Sequence, residues 1–134
     1  MLKLEVIKFG GTNEEQNYLA DLVLKGEKTA TSSLKILQNL TDKKATKVGD
    51  IWQIKNGLNE DICVVEVIRV DVILFGDIDE TFAIYEGDET FANWYDIHFN
   101  YYSKLLSSYE LLLTNETELE CVWFKRINNK RYKK

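Results

Sequence analysis

The chain reads as a small α+β domain built on a curled sheet or barrel, and three observations predict it. Strand-like runs are separated by long connections. Two amphipathic stretches carry helical apolar spacing. A length of 134 residues without repeats or low-complexity tracts suits one domain spanning 1–134. A domain of that size buries roughly two-thirds of its unfolded surface, enough for a core without staples.

The elements follow in order. Asn13 caps the first helix, with Glu14 and Glu15 in its positive first turn and Gln16 at the capping-box position. Leu19, Leu22 and Val23 continue at helical spacing, and Lys25-Gly26 supplies a basic last turn and a left-handed stop. Thr29 to Leu34, rich in β-branched and hydroxyl residues, starts a strand, and Asn39 to Lys47 is a polar loop. Gly49-Asp50 turns into a short strand, Ile51 to Ile54, and Asn56-Gly57 signals a tight turn. Cys63 to Phe75 is a long β-branched strand. A second, longer helix runs from about Glu89 to about Tyr109, with Phe91, Trp94, His98, Tyr102 and Leu105 on one face. Glu118 to Ile127 closes the sheet. The chain has no proline, so its turns fall to Gly, Asn and Asp.

Composition narrows the function. No apolar run approaches the ~18 residues of a membrane span, and Met1 to Glu5 opens no signal-peptide core. Cys63 and Cys121 sit in apolar runs, so buried free thiols in a reducing cytoplasm are expected. Formal charge is −5, but a basic tail at 125–134 holds six of the 17 basic groups and leaves the body at −11. Tracking a long phosphate backbone scales with the phosphates neutralised, and an acidic body disfavours it. A small ligand, or a short single strand gripped at one spot, remains compatible.

The side chains that look arranged for chemistry are Lys28, Thr31 and Ser32, just after Gly26, and Glu66 on the long strand. If the even positions from Val64 to Leu74 face the interior, Glu66 is a carboxylate in an apolar row. Such a group costs several kcal/mol unless paired, protonated or hydrogen-bonded. Lys28 would pair with it, or act when desolvated as a base toward the Thr31 hydroxyl. A surface lysine after a helix cap, and a structural ion pair at Glu66, are the plainer alternatives. A P-loop is excluded, because the Gly-x4-Gly-Lys spacing is missing. His98, the single histidine, lacks companions for a metal site or a Ser-His-Asp relay, so it is a hydrogen-bonded core residue or lines a pocket. Glu86-Gly87-Asp88-Glu89 reads as the acidic start of the second helix.

Gly26-x-Lys28-Thr29-Ala30-Thr31-Ser32, Val48-Gly49-Asp50, Cys63-Val64-Val65-Glu66-Val67, Phe82-Ala83, Glu86-Gly87-Asp88, Trp94-x3-His98 and Cys121-x2-Phe124 together resemble the ASCH family, in that family's order and over nearly the whole chain. The resemblance implies a PUA-like small β-barrel flanked by the two helices, related to RNA-binding domains. In the branch that removes the acyl group from N4-acetylcytidine, the acting residues are a Lys, a Thr three positions later and a Glu in a downstream strand, which Lys28, Thr31 and Glu66 match. Gly26, Thr29, Ser32, Trp94 and His98 are then expected around the ligand. The chain is longer than that branch and carries the Glu86-Gly87-Asp88 and Trp94-x3-His98 elements of the larger type. Trp123 and Tyr95 replace two basic residues usual in the family, which weakens phosphate recognition.

Three readings follow. The first is a cleft around Lys28 and Glu66 that binds RNA, a nucleotide or a nucleoside and hydrolyses an N-acyl amide on a modified base. The second is a non-catalytic RNA-binding regulatory module using the same cleft and the basic tail. The third, less favoured, is a ribonuclease. None calls for a metal, another cofactor or a membrane.

Overall fold

A computed structural model describes residues 4–127. Five strands form one mixed sheet in the order β1-β3-β4-β5-β2: β1 Leu4–Ile7, β2 Ala30–Leu34, β3 Ile51–Lys55, β4 Asp61–Leu74 and β5 Glu118–Ile127. β1 runs parallel to β3, and every other pairing is antiparallel. The helices are α1 Asn13–Lys25, the short α2 Leu37–Leu40, α3 Glu80–Glu86 and α4 Phe91–Ser107, with a 3-10 turn at Phe75–Asp77. The expected α+β class is found. The sheet is open rather than a closed barrel, since β1 and β2 remain its two edges.

Helices cover both faces of the sheet. α1 lays Ala20 and Val23 against Trp52, Ile54, Val65, Val67, Val122 and Phe124. On the other face, Phe82 and Ala83 of α3 and Trp94, Tyr102 and Leu106 of α4 pack on Ala30, Leu34, Leu119 and Cys121. Cys63 and Cys121 are buried free thiols, and burial pushes Cys63 up to about 11.

Several expectations are corrected. The cap of α1 is Thr12, whose hydroxyl accepts from Glu15 N while the Glu15 carboxylate accepts from Thr12 N, so the capping box lies one residue earlier. β1 and α3 are additional elements. Glu86 ends α3 instead of opening the next helix, which starts at Phe91 with Thr90 as its cap. Of the basic tail, Lys125 to Ile127 belong to β5, and 128–134 lie outside the described residues.

The largest correction concerns β4. Its register against β5 shifts between Val67 and Arg69, a β-bulge that breaks the strand's alternation. Before the bulge the odd residues Val65 and Val67 face α1; after it Val70 does. Arg69 is thereby turned onto the opposite face, with its guanidinium 4.2 Å from the centre of the Trp123 ring. The even positions therefore do not form one interior row. Glu66 projects away from Val65 and Val67, in register with Ile51 and Lys125.

Candidate functional site

Two left-handed glycines build the site's corner. α1 stops at Gly26 (φ 81°), and the Leu22 carbonyl then accepts from Glu27 N and Lys28 N, turning the chain back on itself. α3 stops at Gly87 (φ 96°) in the same manner. The left-handed φ favours glycine at 87, and a Cβ there would stand 2.9 Å from Leu22 Cδ1, so the two helix exits lie close together. A hydrogen bond from Thr29 N to the Tyr85 carbonyl, 2.7 Å, ties the two exits together. Lys28 and Glu86, far apart in sequence, become neighbours.

Both are 4% exposed. The Lys28 ammonium donates to the Ala30 carbonyl (2.9 Å) and the Glu86 carbonyl (3.2 Å), lies 4.0 Å from Glu86 Oε2, and sits 4.9 Å from the Phe9 ring centre. Glu86 Oε2 is also 3.0 Å from His98 Nε2. His98 stacks on Trp94 at 4.3 Å, and its Nδ1 lies 2.8 Å from the Trp94 carbonyl and 3.9 Å from Asp88 Oδ2. The result is a chain of alternating charge: ammonium, carboxylate, imidazole, carboxylate.

Burial lowers Lys28 below the ordinary lysine range, although Glu86 and Asp88 oppose it. Burial pushes Glu86 up, but Lys28 and His98 outweigh it and hold the carboxyl below its usual value. Burial likewise works against His98, yet the hydrogen bond and charge of Glu86 prevail and raise it. Asp88 is raised by burial. Glu86, Asp88 and His98 bring ligand-type atoms within 4.8 Å of one another. The Lys28 ammonium already supplies positive charge beside Glu86.

These groups border a cavity of about 1500 Å³. Lys28, Thr31, Ser32, Glu86, Asp88 and His98 all line it, as do Ile7 and Phe9 on the β1 side. Residues from both edges of the sheet thus meet one hollow, whose mouth carries the exposed Tyr18 and Tyr101 with Lys8, Lys43, Lys44 and Lys104. The β2 edge is chemically open. The Thr29 carbonyl accepts from Phe124 N, and Lys35 N donates to the Glu118 carbonyl. Alternation then aims the main-chain groups of Ala30 and Ser32 away from β5. Lys28 occupies the Ala30 carbonyl; Ser32 offers an N–H and a carbonyl along the free edge.

The predicted residues divide clearly. Lys28, Thr31, Ser32 and His98 line the cavity, and Ser32 Oγ is 2.7 Å from Tyr102 OH. Trp94 is fully buried beneath His98, Gly26 is a cap, and Thr29 contributes its main chain. Glu66 is not among the lining residues, so the expected Lys28–Glu66 pair is replaced by Lys28–Glu86. A signal for Glu86 does exist in the sequence. Asp79 and Gly87 bracket a short helix, and Glu86 falls four residues after the apolar Phe82, on the same face.

A further buried carboxylate, Glu120, fixes the cavity wall. It accepts from Gln38 Nε2 (2.9 Å), Thr46 N (3.1 Å) and Thr46 Oγ1 (2.9 Å), pinning the 41–50 loop, from which Lys43, Lys44 and Thr46 line the hollow. Hydrogen bonds to a charged group are worth roughly 1.5–3 kcal/mol each. Glu120→Ala is therefore expected to raise amide exchange across 41–50 by ~10-fold or more without unfolding the sheet. Unchanged exchange would show that other contacts hold the loop.

Residues 5–128 match the model of the ASCH domain. The crystal structure of an ASCH domain from Lactobacillus crispatus JV V101 is 26% identical with a TM-score of 0.88, covering 92% of this chain and 79% of that one. That of a protein from Enterococcus faecalis V583 is 27% identical with a TM-score of 0.87, covering 99% of this chain and 83% of its own. No curated protein matches the chain.

Proposed function

Because this chain belongs to the ASCH family, we propose that its cavity binds a nucleoside or nucleotide, free or within a short single-stranded RNA, and hydrolyses an N-acyl amide on the base, as in N4-acetylcytidine. The observation that carries this reading is the buried Lys28–Glu86–His98 chain bordering the hollow that Thr31 also lines. Amide hydrolysis needs an activated oxygen nucleophile, a cation or donor for the developing oxyanion, and a group that moves a proton to the leaving nitrogen.

The residues present fit those roles. The Thr31 hydroxyl, or a water beside it, attacks the acyl carbonyl. Lys28 has two of its three N–H donors committed to main-chain carbonyls, which leaves one for the oxyanion. Burial also brings Lys28 closer to a neutral amine that can activate the nucleophile. Glu86 takes the nucleophile's proton and delivers it to the departing amine as the C–N bond breaks. The outward N–H and carbonyl of Ser32 offer one donor and one acceptor to the edge of a planar base. Tyr18 and Tyr101, which also line the hollow, would stack on a base, and the rim lysines would meet a phosphate or two.

The test is incubation with N4-acetylcytidine and related acylated nucleosides between about pH 6 and 9, with acid and nucleoside products read by mass spectrometry. Thr31→Val keeps the strand's shape and is expected to reduce turnover by ~10²-fold or more if the hydroxyl is the nucleophile. No turnover of any acylated nucleoside would favour the non-catalytic RNA-binding module. Binding of that kind should weaken steeply with salt, and any share due to the tail should disappear on deleting residues 128–134, which leaves β5 intact.

A further inference from the structure

Glu86 Oε1 is buried and has no hydrogen-bond partner, while Oε2 faces both His98 and Lys28. How Oε2 is held depends on where the protons of His98 lie, and the partners of the ring decide that. The Trp94 carbonyl, 2.8 Å from Nδ1, can only accept, so Nδ1 carries a hydrogen. Nε2 meets Oε2 at 3.0 Å. A bare Nε2 against an ionised carboxylate would set two acceptors face to face, so a further proton must lie between them. Lys28, 4.0 Å from the same oxygen, favours the arrangement in which the carboxylate is the anion and the ring the cation.

We propose that His98 is a positioning residue: its doubly protonated ring clamps Glu86 Oε2 and so holds the carboxylate in place beside Lys28. The role in turnover rests on the hydrolytic reading above; the protonation state does not. In the reaction, the Glu86 carboxylate so held takes the proton of the attacking hydroxyl as the new C–O bond forms. It gives that proton to the nitrogen as the C–N bond breaks. His98 keeps both of its protons throughout.

The groups around the ring are accounted for from every side. Glu86 of α3 and Asp88 of the following loop are anionic, the Trp94 ring and carbonyl and the Tyr102 ring of α4 are neutral, and Lys28 is the nearby cation beyond Glu86. The two carboxylates favour the charged ring, in agreement with its raised pKa.

His98 is the sole histidine, so a ¹⁵N-labelled sample gives a single imidazole whose two nitrogen shifts report protonation directly. The full chain at neutral pH is expected to show both ring nitrogens protonated, and to lose the second proton only above the ordinary histidine value of 6.5. In Glu86→Gln the ring should become neutral at that pH, with its remaining hydrogen on Nδ1. A neutral ring in the unaltered protein at pH ~7 would overturn the proposal, whatever the variant does and whether or not any nucleoside is hydrolysed. If turnover is found, His98→Gln should move the acid limb of kcat/KM upward by about one pH unit, because Glu86 loses a cation. An unmoved limb would remove His98 from the mechanism while leaving the hydrolytic reading in place.

Discussion

Glu86→Gln is expected to reduce acyl-nucleoside hydrolysis by ~10²–10⁴-fold, since the amide cannot carry a proton between nucleophile and leaving group. The same change should destabilise the fold. Glutamine fills the space and still presents a carbonyl oxygen, but Lys28 and His98 then face a neutral group inside the protein. Breaking a buried pair by removing one partner costs roughly 3–5 kcal/mol. The loss should lessen as pH rises. Lys28 is already lowered by burial, and without the carboxylate it is lowered further, so the folded variant binds fewer protons than its unfolded chain and gains stability with pH. Denaturant unfolding at neutral and alkaline pH measures this. Full stability at neutral pH would mean that Glu86 does not compensate the Lys28 charge.

Lys28→Met is the complementary case, with a similar expected cost of ~3–5 kcal/mol near neutral pH. Methionine keeps an unbranched apolar stem but takes the ammonium away from the Phe9 ring, leaves Glu86 with His98 alone and deprives the Ala30 and Glu86 carbonyls of their donor. The sign of the pH dependence separates charge from packing. Glu86 lies below its ordinary 4.5 in the folded state, so its contribution is present above that value and is lost as pH falls through the lowered one. Removing Lys28 removes much of that contribution, so the two proteins should converge in stability on acidification. A difference independent of pH would assign the cost to packing. Lys28→Arg should not rescue either property, because a planar fork cannot fill the place of a compact ammonium between two carbonyls.

Much of the site was legible before any coordinates. Gly26 marked the end of α1, and the hydroxyl-rich run after it became β2 with Thr31 and Ser32 on the cavity. β5 was delimited at Glu118 and Ile127 by its β-branched and aromatic pattern alone. Pairing Lys28 with Glu66 does not hold; the carboxylate beside Lys28 is Glu86. Unbroken alternation through Ile68 favours Glu66, but β4 bulges there, and a bulge has no dependable mark in a run of β-branched residues. Glu86 was passed over because Glu-Gly-Asp-Glu before a helix imitates an acidic first turn. β1 was missed because four residues carry little pattern, and its parallel pairing with β3 is made across some forty intervening positions.

Local chemistry was therefore enough for the stop of α1 at Gly26 and for the β2 and β5 runs, and hence for the α+β class and the Lys28–Thr31–Ser32 wall. Those features depend on residues a few positions apart, whose side chains compete for the same backbone groups. Which acid meets Lys28 was decided only by the packing of α3 beside the exit of α1, through Gly87 against Leu22 and the Thr29–Tyr85 hydrogen bond. A buried charge takes its partner from whatever the tertiary fold brings within a few ångströms, and no spacing along the chain encodes that distance.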